Sequence, residues 1–425
     1  MFRGNPTRTY YGRGPMPEAP VVAWRYPEEA MCGTSTVGGE ASLWCGTGWT
    51  GQPAVWVRPD GVTEVVFGAY DKAVHFLDAA TGKPTRPKFD VGDLVKGSVT
   101  IDPDGYPLLY FGSRDDRLRV VALDRETPSE LWALDADAVD GVWNNDWDGN
   151  PAIIDDVMYE GGENSWFFAV KLNRDLDEEG YVTVDPTIVF ETPGYTPELR
   201  SRVGNNVSIE NSVALFEQRV YFANSGGRVV GLDTKNIERG EAPVVFDFWA
   251  GDDIDATIVI DEEGMLYVSV EQERYNARSR EVGQLVKLDP YATNDSLVWS
   301  VEVPGDSGDE GGIWATPALH AGYLYVATHP GELLVVDTNT GEVVFRDEIG
   351  WHAWSSPLVV DDTLLVSTNC VESAGLRAYD LTDPAAPTRL WEVAETGGCI
   401  ESSPVVWEGR IYVGSRDGFF YALSD

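Results

Sequence analysis

The chain of 425 residues holds 70 acidic and 31 basic residues, a net charge of −39, with 43% hydrophobic and 11% aromatic content. Such a charge repels nucleic acid and anionic membrane surfaces, and the apolar content excludes a disordered chain. No run reaches the ~18 consecutive apolar residues of a membrane-spanning helix, so no transmembrane segment is expected. Only 7 of the basic residues are Lys; a Lys-poor acidic surface suits high salt, where screening shortens electrostatic reach, and a GC-rich genome writes the same bias.

In chain order, residues 1–19 read as an N-terminal arm without the apolar core of a signal peptide. An export signal or anchor is expected to have been removed ahead of residue 1, or never to have existed. "PVVAWRYPEE", Pro20 to Glu29, is a lone strand marked by Trp24. After it, one unit repeats eight times, starting near Trp49, Val95, Trp147, Ile209, Ile254, Ile313, Ala353 and Ile400. Each unit runs through a Ser/Thr-Pro step or its equivalent, an apolar strand, "x-Val-Tyr-Val/Phe-Gly/Ala-Ser", a tight turn, a strand closing in "Leu-Asp" or "Tyr-Asp", and a last strand often marked by Trp or Phe. Runs such as "RVYFANSGGRVVGLD" are dense in β-formers and broken by Gly, Asp or Asn where hairpins turn. No sustained 3.6-residue period occurs, so almost no helix is expected.

Repeats of this length are blades of four short antiparallel strands. The eighth unit ends at Asp425 with three strands, and Trp24 matches the outer-strand residues Trp132, Trp299 and Trp391. The prediction is one all-β, eight-bladed propeller over 20–425, its last blade at 397–425 completed by the strand 20–29, with 1–19 as an arm over the ring.

The four cysteines, Cys32, Cys45, Cys370 and Cys399, fit two disulfides and an oxidising, extracytoplasmic compartment. Three pairings are open. Cys32 and Cys45 flank "GTSTVGGEASLW" and would staple that loop; Cys370 and Cys399 fall on the same face of neighbouring blades. A zinc site built from all four is the alternative.

Aligned on the Ser-Pro step, one position facing the central channel reads Thr50, Lys96, Asp148, Glu210, Asp255, Trp314, Trp354 and Glu401, blade by blade. Carboxylates crowded into a channel raise one another's pKa and call for a cation, although a wet polar channel also accommodates them. The turns on the same face add Glu160, Glu163, Asn164 and Trp166 from blade three, Asn224 from blade four, and Glu271, Glu273, Arg274, Arg278 and Arg280 from a long blade-five insertion. Asp252 and Asp253 lead into blade five. Trp314 and Trp354 would add cation–π attraction to an organic cation. Trp314, Trp354, Lys96 and Arg274 are the candidate ligand- or cofactor-binding side chains.

Smaller signals are structural. "DLDEEGYVTVD", Asp175 to Asp185, has Pro186 where a calcium loop needs a bidentate Glu, and reads as a solvated hairpin. His75, His320, His329 and His352 form no triad with a nucleophile. Arg114 and Arg416, each in "GSRD", read as blade-to-blade salt bridges, and Asp124, Asp233 and Asp337 as turn formers.

"VGSRDGFFYALSD", "VVDTNTGEVVF" and "HFLDAATGKP" resemble the pyrroloquinoline-quinone-like (PQQ-like) propeller repeat, and the opening "MFRGNPTRTYYG" looks like that family's lead-in to the first blade. The repeat occurs in quinoprotein alcohol dehydrogenases and in the propeller lipoprotein of the outer-membrane assembly machine. The resemblance to the dehydrogenases implies a Ca2+ or lanthanide site at Glu163, Asn224, Asp253 and Asp255, with Asp148, Glu210 and Glu401 lining the channel and Asp255 as the base if catalysis occurs. Those enzymes carry adjacent cysteines that stack on the quinone; none occur here, so PQQ itself is not expected. The expected function is an extracytoplasmic, non-catalytic binding or scaffold protein, monomeric, with a protein partner or a small cationic ligand. A metal- or PQQ-dependent oxidoreductase and a receptor for an organic amine are the alternatives.

Overall fold

The computed structural model describes every residue except 38, 49–50, 306–310, 369–374 and 395. Strands adjacent in sequence pair antiparallel through tight turns and form seven four-stranded sheets and one of five strands, arranged as eight blades. The innermost strands begin at Ala54, Thr100, Ala152, Ala214, Val259, Ala318, Leu358 and Val405. Of the two α-helices among the described residues, Pro197–Val203 lies between blades three and four and Ala277–Val282 in the insertion between the second and third strands of blade five. They are capped by Thr196, whose hydroxyl accepts from Leu199 N–H, and by Asn276.

The last blade closes the ring. Its strands Val405–Trp407, Arg410–Gly414 and Phe420–Ser424 are completed on the outer edge by Val21–Tyr26. In six other blades the outer strand carries a one-residue bulge opposite the third strand, skipping Leu131, Val189, Val245, Val298, Val344 and Leu390. The residue after each bulge is aromatic: Trp132, Phe190, Phe246, Trp299, Phe345 and Trp391. The closing strand repeats the device, skipping Ala23 before Trp24. A bulge turns the strand and re-aims the next side chain, which here sends the aromatic ring inward and leaves Ala23, Val245, Val298, Val344 and Leu390 exposed. Trp24 Nε1 donates to Ala79 O (3.2 Å), and Phe67 of blade one stacks on Phe420 of blade eight at 3.8 Å. First and last blades thus share one core.

The arm does not lie over the ring; it enters it. Phe2, Arg3 and Arg8 are almost wholly buried. Phe2 N–H donates to Asn150 of blade three, Arg3 N–H to Gln52 of blade one, and the Arg3 guanidinium to Thr316 O of blade six. Arg8 donates to Val213 O of blade four and back to Phe2 O. Gly12–Arg13 then pairs parallel with Val405–Trp407, so the arm and closing strand grip both edges of blade eight. Burial draws both guanidiniums down to about 10, still charged at neutral pH.

Cys32 and Cys45 face each other across the hairpin Cys32–Val37/Glu40–Cys45 and are disulfide-bonded, which overturns the four-cysteine zinc alternative. Cys399 is also disulfide-bonded; Cys370, its expected partner, lies outside the described residues. Asp175–Leu176 and Val182–Thr183 form the expected exposed hairpin, with Asp177 accepting from Glu179 and Tyr181 N–H.

Candidate functional site

The turn between second and third strands of a blade folds back onto the segment leading into its inner strand. Ser225 N–H donates to Ser208 O, His329 N–H to Gly312 O and Arg416 N–H to Cys399 O. Both sets of side chains therefore meet at one mouth of the channel.

Blade three supplies the tightest group. Oxygens of Asp146, Asp148 and Glu163 all lie within 4.8 Å of one another, a spacing that could hold a metal ion. Lys96 Nζ stands among them, ion-paired with Asp148 and 3.6 Å and 4.0 Å from Glu163 and Asp146. Arg114 Nε lies 2.6 Å from Asp146, an ion pair between blades two and three as expected. Asn144 donates to Glu163 Oε2 (2.8 Å). Burial, with Asp148 adding repulsion against the pull of Lys96, pushes Asp146 up to about 7. Burial followed by Glu210 and Asp148 holds Glu163 well above the usual carboxylate range, and Lys96 is raised by the acids around it, which outweigh its burial. Asp146 was absent from the expected ligands. The signal was there in "NNDWDGN", where two aspartates two residues apart precede the inner strand.

Blade five supplies a second group. Asp253, Asp255 and Glu271 are each raised well above the usual range, first by burial and then by other carboxylates: Glu210 for Asp253 and Asp255, Asp253 for Glu271. Asp253 Oδ1, Asp255 Oδ1 and Glu271 Oε1 are buried without a hydrogen-bond partner. Glu210 stands between the groups, accepting from Ser208 Oγ (2.8 Å). Asp252 is a latch for the insertion, accepting N–H from Arg274 (2.9 Å) and Tyr275 (2.7 Å). Arg274 lies 3.6 Å from Asp253 and donates to Ser225 O, so it spans blades four and five.

Asn224 takes no part in either group. Its Nδ2 donates to Gly194 O (3.0 Å) and its Oδ1 accepts from Arg228 N–H (3.0 Å). Asn164 is likewise turned onto backbone, its Nδ2 donating to Ala136 O and its Oδ1 accepting from Trp166 N–H. The two asparagines are repeated turn braces, and the ligand role implied for Asn224 is not what its amide does here.

Blades six and seven present rings instead. Trp314 and Trp354 stack at 4.8 Å with 3° between planes, His329 lies 4.9 Å from Trp314, and His352 lies 3.7 Å from Trp354. On blade eight Glu401 is paired with Arg416 (2.8 Å). That pair is internal to its blade, correcting the expected blade-to-blade bridge; Arg416 reaches blade one through the rings of Trp44 and Tyr70. Thr50 lies outside the described residues. Beneath the mouth Glu160 is 1% exposed, has no hydrogen bond from either oxygen, and is raised well above the usual range by burial, with Arg8 of the arm opposing.

Residues 282–424 match the family model described as outer membrane protein assembly factor BamB. No curated protein matches the chain. Solved structures similar in fold include BamB from Moraxella catarrhalis, 14% identical, with TM-score 0.60 over 96% of this chain and 98% of that one. Quinohemoprotein alcohol dehydrogenase from Comamonas testosteroni is 14% identical, with TM-score 0.60 over 99% and 79%. The computationally designed Ika8 protein is 12% identical, with TM-score 0.62 over 89% and 97%. Identities this low speak for the fold alone, an eight-bladed propeller, and the family match places the PQQ-like repeat in residues 282–424.

Proposed function

We propose that this propeller is an extracytoplasmic, non-catalytic binding protein that takes up a divalent cation, Ca2+, in the acidic half of its channel mouth. One observation carries the reading: seven buried or largely buried carboxylates, Asp146, Asp148, Glu163, Glu210, Asp253, Asp255 and Glu271, face three cations, Lys96, Arg114 and Arg274. Lys96 and Arg114 answer the blade-three group. Lys96 already stands within the close-set oxygens of Asp146, Asp148 and Glu163, so the deficit falls on blade five, where Asp253, Asp255 and Glu271 keep unpartnered oxygens that a bound ion would draw together. A set made only of oxygens suits Ca2+ over softer metals. The disulfide supports an oxidising compartment. No helix among the described residues is long and apolar enough to cross a membrane.

PQQ does not fit these residues. Asn224, which the resemblance would place on the quinone's metal, holds Gly194 and Arg228 instead, and Trp314 and Trp354 stack on each other. No step through that group is derived.

The test is calorimetric titration and thermal unfolding of EDTA-dialysed protein with Ca2+ in high salt. At a hundredfold excess over Kd the bound ion should stabilise the fold by about 2.7 kcal/mol, and Glu271→Gln should abolish most of that gain. Absence of heat and of stabilisation in the unmodified protein would overturn the reading.

A further inference from the structure

The acidic half of the mouth accounts for a cation; the aromatic half is built for something a bare ion does not use. Trp314, Trp354, His329 and His352 form one wall, and Trp351, half exposed, carries it to the rim, 4.6 Å from His352. The wall is held in place. Trp354 Nε1 donates to His329 Nδ1 (3.0 Å), and His352 N–H donates to His329 O (2.9 Å) across the blade boundary. His352 sits at φ +76°, a left-handed conformation rare for a residue with a side chain; that backbone sets its ring against Trp354. Burial holds His329 at about 4 and lowers His352, so the wall carries no positive charge at neutral pH.

The wall adjoins the blade-five carboxylates. Glu271 pairs in register with Gly312, two residues before Trp314. Gly312 has φ +80°, and a Cβ there would lie 2.6 Å from Gln272 N and Val270 O, so only glycine allows this approach. Glu271 is 1% exposed and Asp255 is partly buried, yet each keeps one buried oxygen without a donor. Buried carboxylate oxygens of this kind require N–H donors, and ring faces attract positive charge. An ammonium group supplies three donors and a charge at once, and an apolar body attached to it would lie along the rings.

We infer that the mouth between blades five and seven binds a small primary amine with an aryl tail, its ammonium on Glu271 and Asp255 and its tail along the edge of the Trp314–Trp354 stack toward the exposed Trp351. The inference rests on the cation-seeking mouth described above, but not on the metal.

The probes are phenethylamine, 2-phenylethanol, choline and CaCl2, each titrated into the EDTA-dialysed full chain in high salt and followed by calorimetry and tryptophan fluorescence. Phenethylamine should bind saturably and quench the indoles. 2-Phenylethanol, which lacks the charge, and choline, which lacks N–H donors, should each bind at least about tenfold more weakly. Glu271→Gln should weaken phenethylamine binding by a similar factor. Trp354→Phe, which keeps an aromatic ring at that position, should weaken it and reduce the quenching, with circular dichroism verifying the fold of both variants. Equal binding of amine and alcohol, or binding unchanged in both variants, would overturn the inference. Calcium binding without amine binding would overturn it while leaving the metal reading standing. Amine binding without any calcium effect would support it and remove the metal reading.

Discussion

Asn224 and Glu271 are both polar, both buried and both on turns that face the channel, yet their side chains do opposite things. Asn224 has each amide atom matched to a backbone partner, and Glu271 keeps an oxygen with none. Asn224→Ala should therefore cost roughly 1–3 kcal/mol of stability, since it leaves buried backbone groups unpaired, while Ca2+ affinity stays close to that of the unmodified protein. Glu271→Gln should do the reverse: little loss of stability, because it removes a buried charge among like charges, and a large loss of affinity. Urea unfolding and calorimetry on the same two variants read both quantities. A calcium affinity that falls with Asn224→Ala would return that residue to the ligand set. This distinction was not legible in the sequence, where Asn224 stands one blade after Glu163 in the order of a known metal site. The order of residues fixes the blade, but whether an amide turns into the channel or back onto its own strand depends on the local turn. Asn164 already shows that turn in blade three.

At the scale of the element, the closing strand was legible because the repeat ran out one strand short and Trp24 matched the outer-strand tryptophans. The structure adds the reason for the match: a bulge before each aromatic residue turns its ring into the seam between blades. Trp24 packs near Tyr412 and Phe420 and bonds to Ala79 O of blade one. Trp24→Ala should lower stability by about 3–5 kcal/mol, and denaturant midpoints would show it. A loss no greater than that of an exposed outer-strand residue such as Val21 would mean that the N-terminal strand adds little to closure. The arm was legible only as a segment lying over the ring. The insertion of Arg3 and Arg8 into the channel emerges from partners in blades three, four and six that sequence spacing does not reveal.

At the scale of the whole molecule, the buried carboxylates give the stability a pH dependence of definite sign. Asp146, Glu163, Asp253, Asp255 and Glu271 are raised above their unfolded values, so the folded state binds more protons than the unfolded one in the range just above ordinary carboxylate pKa values. Their contribution is fully present below the unfolded pKa and declines as pH rises, for Asp146 through about 7. His329, drawn down to about 4, works the other way and gains stability as pH rises from there through the unfolded value of 6.5. These acids, with Glu160 and Glu210 raised likewise, outnumber the lowered His329, His352 and Met1 amine and give a net fall toward neutral pH in metal-free protein. Thermal scans from acid to neutral pH in high salt, which screens the surface charge, should show that fall, and saturating Ca2+ should flatten it. A metal-free protein whose stability rises steadily to neutral pH would contradict the assignment of these acids as strained and mutually repelling.

The sequence by itself determined the number of blades, the four-stranded unit, the strand that closes the ring and the face on which acids and tryptophans gather. Those features repeat, and each is specified by contacts between residues near in the chain or in neighbouring repeats. Only the tertiary structure decided which of those side chains meet. Lys96 came to stand inside the blade-three acids, Asp146 joined them, Asn224 left them, and Arg3 and Arg8 closed the channel below. Each depends on where a side chain points at the axis of the ring, where eight blades converge and residues hundreds of positions apart become neighbours.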